Sequence, residues 1–333
     1  MPAHPIAGEL IPWYHASRRD LPWRRTRDPW PILVSEIMLQ QTRVQTVLPY
    51  YDRFLSCFPT AAAMADATDQ DVLALWAGLG YYSRARNLQR AARRIVELGA
   101  FPSSYEEIRS LPGVGEYTAA AVGSIAFGLP YPVVDGNVLR VVARVTNDPS
   151  DIASASTKTR FGSVAAAWLD RNDPAAFNQA MMELGATVCL PRKPLCLLCP
   201  LARRCQARAA GTEEQLPVKL RKVRQERLEH VLLRIEKNGS LLMWQQNDPS
   251  QRMFGFWELP YREQLSGVRV GTELGRFRHT ITHHHFTFRV VKASLGKTPE
   301  GFRWVAREEL ETLPVSTIAR KALRAGGAVA SAP

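Results

Sequence analysis

The sequence of 333 residues lacks the features of membrane and secreted proteins. No stretch holds the roughly 18 or more uninterrupted apolar residues that a membrane helix requires. The N-terminal residues, which include His4, Glu9 and Pro12, lack the basic-then-apolar pattern of a signal peptide. No internal repeat or long low-complexity segment appears, which argues against a repeat or fibrous protein. We therefore expect a soluble protein of the cytoplasm, with no membrane partner.

Acidic residues are too few to balance the basic ones. The sequence has 43 Lys and Arg against 31 Asp and Glu, a formal net charge of +12, and arginine clearly outnumbers lysine. Such an excess favours a polyanionic partner, although a solvated basic surface would give the same balance.

Cysteine is also scarce, and its five residues are unevenly placed. Four of them lie within seventeen residues in the spacing C-x6-C-x2-C-x5-C: Cys189, Cys196, Cys199 and Cys205. A disulfide framework is not expected in a large chain without a secretion signal. Four thiolates in one tight loop suit a cubane iron–sulfur cluster, with zinc as the alternative. The fifth, Cys57, is predicted to be a buried small hydrophobic side chain.

The length predicts two domains. Residues 1–211 are helical by periodicity and breaker placement, without a convincing strand, which predicts an all-α domain or two helical lobes. A charged linker is predicted over residues 212–227, and residues 228–325 alternate like the strands of an α+β domain. The Ala- and Gly-rich residues 326–333 are predicted to be a flexible tail.

Three local predictions can be compared with the structure. Proline placement favours a helix over residues 32–48, and the basic and aromatic residues 21–25 favour an extended connector. In the second domain, residues 306–313 are predicted to form a helix.

A tight hairpin is predicted at Leu111-Pro112-Gly113-Val114-Gly115, between helices over residues 103–110 and 117–127. Two glycines there permit positive φ, and a helix that starts after such a turn leaves backbone N–H groups free for a phosphate oxygen. Asp135, twenty positions past Gly115, begins the next helical run. The alternative is a plain helix–turn–helix corner with a capping Asp.

Taken together, the hairpin, this Asp and the cysteine spacing resemble the endonuclease III group of DNA glycosylases. Within that helix–hairpin–helix superfamily, four segments resemble the A/G-specific adenine glycosylases, the MutY family. They are SEIMLQQT at residues 35–42, GLGYY at 78–82, VDGN at 134–137 and FNQAMMELG at 177–185. The resemblance covers about residues 10–210 densely and the C-terminal domain loosely.

The resemblance implies a monofunctional enzyme that removes adenine mispaired with 8-oxoguanine or guanine in double-stranded DNA. It implies a mainly α, helix–hairpin–helix glycosylase domain of two helical lobes with a 4Fe–4S cluster in the loop of residues 189–205. It further implies a C-terminal α+β, Nudix-like domain that reads 8-oxoguanine. We expect a nucleoid-associated monomer, with other repair proteins as further partners.

Hydrolysis of an N-glycosidic bond needs two carboxyl groups in different protonation states. Glu36 fits the acid, because Leu33 and Leu39 share its helical face and burial raises a carboxyl pKa. Asp135 fits the ionised partner, because exposed N–H groups at a helix start favour the carboxylate. By resemblance, Glu36 protonates the adenine and Asp135 stabilises the oxocarbenium-like sugar, electrostatically or by transient covalent attachment.

Tyr117 stands where bifunctional relatives carry a lysine that forms a Schiff base, so efficient strand cleavage by that route is not expected. The remaining roles also come from the resemblance. Asn137 helps to orient the catalytic site, and Arg24 and Glu183 line the adenine pocket. The predicted DNA-binding residues are Gln40, Gln41, Tyr81, Gly113, Val114 and Gly115.

In the C-terminal domain, the family's Phe-Ser-His triplet aligns with Ile281-Thr282-His283. Thr282 keeps the hydroxyl that would hydrogen-bond 8-oxoguanine, His283 keeps the family histidine, and Ile281 loses the aromatic wedge. No Nudix catalytic box is present, so pyrophosphate hydrolysis is not expected.

Two rival interpretations remain at this point. One is a thymine- or uracil-mismatch glycosylase on the same scaffold. The Tyr-Tyr turn, the Gln-Gln pair and the extra C-terminal domain argue against it. The other is a catalytically silent iron–sulfur DNA-binding module, which would need neither Glu36 nor Asp135.

Overall fold

The computed structural model describes residues 4–220, 226–248, 251, 253–281 and 284–325. These residues contain thirteen α-helices and six β-strands. Residues 4–220 contain no strand, as the sequence predicts, and the strands begin at Glu226. No helix in the described part of the chain is long and apolar enough to cross a membrane.

The chain divides into two compact units, and each of them is discontinuous in sequence. The first comprises Met1–Val47, Phe58–Ala65 and Arg90–Lys222. The second comprises Leu48–Cys57, Asp66–Gln89 and Val223–Pro333. The predicted domain limits at residues 211 and 228 follow sequence composition and stay a prediction.

Within residues 4–220, twelve α-helices precede the sheet. They are α1 (Pro5–Ser17), α2 (Pro29–Leu39), α3 (Val44–Cys57), α4 (Ala61–Ala65), α5 (Asp69–Trp76), α6 (Ser83–Glu97), α7 (Tyr105–Arg109), α8 (Glu116–Phe127), α9 (Gly136–Val145), α10 (Ala155–Trp168), α11 (Pro174–Thr187) and α12 (Gln206–Ala210).

Side-chain caps explain where several of these helices begin. Asp28 accepts a hydrogen bond from the backbone of Trp30 at the start of α2, and Pro29 occupies the first helical position. Ser104 and Glu107 form a reciprocal capping box at the start of α7. Asp135 caps α9, which means that the cap itself brings a carboxyl group to a helix start.

The first unit is organised around α11. This helix packs against α1, α8 and α9, while α2 packs against α8. Apolar side chains of α1, α9, α10 and α11 form one core: Leu10, Val142, Phe161, Phe177 and Leu184 are among its members. Burial of this core holds α9 in a fixed position beside α11.

The second unit contains a mixed sheet. Its strands are β1 (Glu226–Lys237), β2 (Ser240–Gln245), β3 (Trp257–Glu258), β4 (Arg269–Ile281), β5 (His284–Ser294) and β6 (Phe302–Ala306). The order is β3-β2-β1-β5-β4, and β6 pairs with β2. Strands β1 and β5 run parallel, and the other pairs are antiparallel.

Both faces of this sheet are covered, because consecutive residues belong to different cores. Leu232 and Val290 pack with the final helix α13 (Thr317–Ala325), whereas Leu233 and Val291 belong to a separate apolar cluster. The second unit therefore contains the α+β fold that the sequence predicts.

Three local predictions are wrong. The helix over residues 32–48 is two helices, because Gln40 leaves the helical region and Gln41 has a φ of 57°. The connector at 21–25 contains a single 3-10 turn, Pro22–Arg24. The helix over 306–313 is a 3-10 turn, Glu308–Glu311, because Ala306 pairs with Ser240 at the end of β6.

The prediction for Cys57 is also wrong, since this residue is exposed. The buried side of α3 contains Tyr51 and Phe54 and continues at Phe58. Cys57 falls one position short of that stripe and points away from it.

Candidate active site

Glu36 lies on α2 and is only 5% exposed. The Tyr117 hydroxyl on α8 donates a 2.8 Å hydrogen bond to Oε2 of Glu36. Burial is the main cause that raises the pKa of Glu36 to about 7, and the nearby charge of Asp135 adds to the rise. The Tyr117 hydrogen bond and Arg24 act in the opposite direction. The carboxyl group can therefore carry a proton near neutral pH.

Tyr117 lies in the first turn of α8 and has two polar contacts. Besides Glu36, its hydroxyl lies 3.5 Å from Sδ of Met182. Burial and the neighbouring carboxyl groups of Glu36 and Asp135 raise the pKa of Tyr117 well above its ordinary value. The hydroxyl therefore remains protonated and acts as a hydrogen-bond donor.

Asp135 uses both carboxyl oxygens at the start of α9. Oδ1 accepts from the Val138 N–H at 2.7 Å, and Oδ2 accepts from the Asn137 side-chain amide at 2.7 Å. Burial raises the pKa of Asp135 above its ordinary value, while these hydrogen bonds and the charge of Arg140 oppose the rise. The donors hold the carboxyl group in one orientation.

Arg140 holds the Asn137 side chain through a hydrogen bond and also contacts two backbone carbonyl groups. Its guanidinium donates to Oδ1 of Asn137 at 2.9 Å, to the Gly185 carbonyl at 2.7 Å and to the Cys189 carbonyl at 2.8 Å. One side chain thus joins the start of α9, the end of α11 and the beginning of the cysteine loop.

These groups line one cavity in the first unit, with about 820 Å³ of empty space that is partly open to solvent. Glu36, Tyr117, Asp135 and Asn137 form part of its wall, and Glu183 forms another part. The structure therefore brings together the predicted catalytic and adenine-pocket residues.

Glu183 is fully buried and is held by two arginines. Arg19 donates to both of its oxygens, at 2.9 and 2.6 Å, and Arg24 donates to Oε2 at 2.7 Å. Burial alone would raise the pKa of Glu183, but the hydrogen bonds from Arg19 and Arg24 outweigh it and lower the pKa to about 2. Arg24 also lies over the Tyr14 ring at 5.4 Å.

The arrangement combines a carboxyl group that can carry a proton near neutral pH, a second carboxyl group beside two hydrogen-bond donors, and a fixed arginine–carboxylate cluster. A protonated acid and an anionic stabiliser in one cavity can promote the departure of a basic leaving group from a carbon that becomes positive. The cavity therefore suits glycosidic-bond hydrolysis.

The four cysteines of the 189–205 loop line a second cavity in the same unit, with about 390 Å³ of empty space that is partly open to solvent. Arg144, which is 2% exposed, donates to Sγ of Cys189 at 3.3 Å. Burial raises the pKa of Cys199 to about 12. No group of three or more His, Cys, Asp or Glu side chains within the described residues is placed to hold a metal ion directly. Four thiols around one space, beside a buried cation, nevertheless match the donor set of a cluster.

The predicted hairpin connects α7 to α8. The Val114 N–H donates to the Leu111 carbonyl at 3.0 Å, and Gly113 has a φ of 79°. Gly115 has a φ of −95°, which other residues adopt freely, so the positive φ that the sequence suggested for both glycines occurs only at Gly113. Gly115 is the N-cap of α8, which places the hairpin directly before Tyr117.

The other predicted DNA-binding residues lie in turns. Gln40 follows α2, and its side chain donates to the Thr118 hydroxyl at 3.3 Å, near the start of α8. Gln41 is exposed in the same turn. Tyr81 lies in the turn between α5 and α6, in the second unit, and is 40% exposed. Thr282 and His283 lie outside the described residues.

Sequence reasoning missed several residues of the cavity and its support. Arg140 lies in an ordinary amphipathic helix, and Arg19 follows the end of α1 at Ser17. Gly185 belongs to the FNQAMMELG segment, and the resemblance implies no role for this glycine. A Cβ at Gly185 would lie 2.5 Å from Cβ of Asn137, so only glycine permits this approach of α11 to α9. No local signal in the sequence identifies these contacts, because the partners lie far apart along the chain.

Comparison with known proteins bears on the activity. Residues 34–165 match the HhH-GPD superfamily of base excision DNA repair proteins. The human adenine DNA glycosylase is 35% identical over an alignment of 398 positions, which covers 95% of this chain and 73% of the human protein. This chain belongs to the adenine DNA glycosylase family.

A bacterial member of the adenine DNA glycosylase family, from Mycolicibacterium smegmatis, is 44% identical over 207 residues, or 61% of this chain and 69% of that protein. Among solved structures, a thermostable thymine-DNA glycosylase matches with a TM-score of 0.55 and 29% identity. It covers 62% of this chain and 95% of its own. The family and the glycosylase activity expected from the motifs are confirmed. The alignment with the human relative covers more of this chain than the match to the thymine-DNA glycosylase structure does.

Proposed function

We propose that this adenine DNA glycosylase acts on adenine opposite 8-oxoguanine or guanine in double-stranded DNA. The observation that carries the proposed mechanism is the Tyr117–Glu36 hydrogen bond in a cavity shared with Asp135. It supplies a buried carboxyl group whose pKa is raised to about 7 beside a second carboxyl group at a helix start.

In the first step, Glu36 transfers its proton to the adenine ring nitrogen that faces away from the sugar. The bond between the base and the sugar carbon then breaks, and its electron pair leaves with the base. Protonation makes adenine a better leaving group, which is the usual effect of a general acid. The Glu36 carboxylate next accepts a proton from the water that attacks the sugar carbon.

Asp135 stabilises the positive charge that develops on the sugar. Its oxygens are already held by the Val138 N–H and the Asn137 amide, so little reorganisation is needed as the charge appears. Asp135 stabilises this charge electrostatically or by transient covalent attachment to the sugar, and both modes keep the charge balanced.

Tyr117 orients Glu36 and keeps the enzyme monofunctional. A phenol cannot form a Schiff base with the opened sugar, as an amine would. Incubation with substrate and borohydride is therefore expected to trap no efficient lysine-dependent adduct.

Substrate contacts are proposed for the cavity wall, for the hairpin before α8 and for the turns that hold Gln40, Gln41 and Tyr81. Arg24 and Glu183 would line the adenine pocket, and their mutual ion pair keeps both groups in a fixed position. The backbone N–H groups of Gly113 and Gly115 would contact phosphate on either side of Val114, whose own N–H donates to the Leu111 carbonyl. Adenine must leave the duplex at a cost of a few kcal/mol, and Gln40, Gln41 and Tyr81 would fill the stack around the opposite base.

The family is associated with a 4Fe–4S cluster, and Cys189, Cys196, Cys199 and Cys205 would hold it. The cluster would serve as a structural staple for the loop. Arg192, Lys193, Arg203 and Arg204 on this loop would then face phosphate; all four are exposed. A purified protein without broad visible absorbance typical of iron–sulfur charge transfer would contradict this assignment.

Recognition of 8-oxoguanine is proposed for the C-terminal, Nudix-like domain through Thr282 and His283. The absence of the family aromatic residue at position 281 is expected to weaken this recognition without abolishing it. We also propose that the enzyme works as a monomer.

The test of substrate choice is base release, followed by alkali-revealed cleavage, on four duplexes that differ only in the mispair. We expect release from A:8-oxoguanine and A:G, and none from T:G or U:G. The Glu36→Gln variant should bind the A:8-oxoguanine duplex and release adenine at least about a hundredfold more slowly than wild type.

Each rival function has its own signature in this experiment. Release of thymine or uracil would support the mismatch glycosylase that the solved thymine-DNA glycosylase suggests. Binding without release by the wild-type protein would support a silent DNA-binding module. Unchanged activity of Glu36→Gln would refute the assigned acid.

A further inference from the structure

The turn between α5 and α6 has an unusual backbone. Gly78 and Gly80 have φ values of 112° and 72°, and Tyr81 has a φ of 48°. A Cβ at Gly78 would collide with the Tyr50 hydroxyl, which lies 2.0 Å from that position. The left-handed region disfavours an L-residue such as Tyr81 by about 1–2 kcal/mol, so the surrounding structure must hold this conformation.

Arg84, in the first turn of α6, provides that restraint. Its guanidinium lies 5.5 Å from the Trp76 ring centre and 5.4 Å from the Tyr81 ring centre. It also donates to the Leu79 carbonyl at 3.3 Å and to the Gly80 carbonyl at 3.1 Å. The Trp76 indole donates to the same Gly80 carbonyl at 3.1 Å.

The burial of Arg84 contrasts with the exposure of its neighbour. Arg84 is 7% exposed, whereas Tyr81 is 40% exposed. Burial lowers the pKa of Arg84 to about 10, so the guanidinium remains charged at neutral pH. A buried, planar cation beside an exposed ring can hold that ring while leaving part of it accessible.

We infer that Arg84 is a positioning residue that presents Tyr81 to the DNA base stack. The inference rests on the proposed role of Tyr81 at the mispair. The two carbonyl contacts hold the turn in its left-handed conformation, and the stacking contact limits the rotation of the Tyr81 side chain. Binding then does not have to order the tyrosine, which reduces the entropic cost of inserting it.

Lysine should replace this arginine only in part. Arg84→Lys retains the charge but loses the planar guanidinium group, whose Nη2 donates to both carbonyls. Methionine retains most of the aliphatic bulk and loses the charge as well. Comparison of wild type, Arg84→Lys and Arg84→Met therefore separates the effect of the positive charge from the effect of the guanidinium geometry.

The experiment is a double-mutant cycle with Tyr81→Ala and Arg84→Met, read by single-turnover adenine release from an A:8-oxoguanine duplex at increasing enzyme concentration. We expect each single variant to raise the half-saturating enzyme concentration about tenfold, the scale of one base–aromatic stack. The double variant should lie within about twofold of Tyr81→Ala alone, because Arg84 acts through the same ring.

The maximal release rate should change less than the half-saturating enzyme concentration. Arg84→Lys should fall between wild type and Arg84→Met.

Arg94→Met is the matched control, because it removes an exposed cation of α6 that pairs with Glu97. It should behave like wild type. Far-ultraviolet circular dichroism checks that each variant is folded, and if Arg84→Met does not fold, Arg84→Lys with Tyr81→Ala provides the same cycle. Additive losses in the cycle, or no loss in Arg84→Met, would overturn the positioning role while leaving Tyr81 as a DNA contact. An unchanged Tyr81→Ala would instead overturn the proposed role of Tyr81 and the inference with it.

Discussion

Glu36 and Glu183 line the same cavity, and both are buried, yet their carboxyl pKa values are shifted in opposite directions. The pKa of Glu36 is raised to about 7, and that of Glu183 is lowered to about 2. Glu36 has a neutral tyrosine as its hydrogen-bonded neighbour, whereas Glu183 accepts from two guanidinium groups. Burial raises a carboxyl pKa until a cation compensates for the lost water.

This comparison separates a group that can exchange a proton from one that cannot. Glu36 can give and regain a proton near neutral pH, as a general acid must. Glu183 remains ionised and fixes the positions of Arg19 and Arg24. If the two environments, rather than the shared residue type, determine the two roles, substitutions at positions 36 and 183 should have different effects.

The largest effect is expected when the proton donor is removed. Glu36→Gln should lower the rate of single-turnover adenine release by about 10²- to 10⁴-fold, the usual contribution of a general acid. Glu183→Gln keeps the acid and should lower the rate by about tenfold, through loss of the charged contacts that position Arg24. Glu97→Gln, on the surface of α6, should match wild type. Equal losses at positions 36 and 183 would show that the charge states do not distinguish their roles.

The same two substitutions should change stability in opposite directions. The folded pKa of Glu36 lies above its ordinary 4.5, so ionisation costs stability as pH rises from 4.5 to about 7, and the cost persists above that range. Glu36→Gln should therefore raise the free energy of unfolding at pH 8 by up to about 3 kcal/mol, and by much less at pH 4.

Ionisation of Glu183 has the opposite effect on the free energy of unfolding. Its folded pKa lies below 4.5, so its stabilisation is present above pH 4.5 and is lost as pH falls toward about 2. Glu183→Gln should lower the free energy of unfolding at pH 7 by about 3 kcal/mol, because Arg24, whose side chain is 9% exposed, and the half-buried Arg19 lose their partner. Urea unfolding of both variants at pH 4, 7 and 8 measures these changes. A common sign at pH 8 would contradict the comparison.

A third variant leaves both glutamates in place and disturbs the contact between Asn137 and the Asp135 carboxyl group. Gly185→Ala would place a Cβ 2.5 Å from Cβ of Asn137 and force it away from Asp135. Adenine release should fall about 10- to 100-fold, the cost of a small displacement in a catalytic site. Gly8→Ala, on α1 with nothing within 4 Å of the new Cβ, is the matched control and should retain the wild-type rate. Full activity in Gly185→Ala would mean that the Asn137–Asp135 contact is dispensable.

The smallest effect sharpens the comparison at Glu36 itself. Wild-type release should decline as pH rises through about 7, because the acid must be protonated. Tyr117→Phe removes a hydrogen bond that favours the carboxylate, so the pKa of Glu36 should rise further. We expect the midpoint of the pH–rate profile to move upward by about one unit. A downward movement would show that Tyr117 instead stabilises the neutral acid.

Much of the fold follows from local patterns. The cap at Asp135, the hairpin with Gly113 and the cysteine spacing are all contained within short segments, and each occupies the local structure that the sequence predicts. Where local patterns failed, a nonlocal contact or a single backbone angle decided the outcome. The 32–48 helix ends at Gln40, whose side chain contacts Thr118.

The sequence by itself determined which residues could carry the chemistry: a glutamate among apolar neighbours, an aspartate at a helix start, and a tyrosine in place of an amine. The apolar helical neighbours of Glu36 also predict its raised pKa, whereas the lowered pKa of Glu183 follows only from the tertiary structure. The tyrosine that contacts Glu36 lies 81 positions away, and the arginines that contact Glu183 lie 159 and 164 positions away. A carboxyl pKa depends on the groups within a few ångströms in space, and packing of α2, α8 and α11 is what brings those groups together.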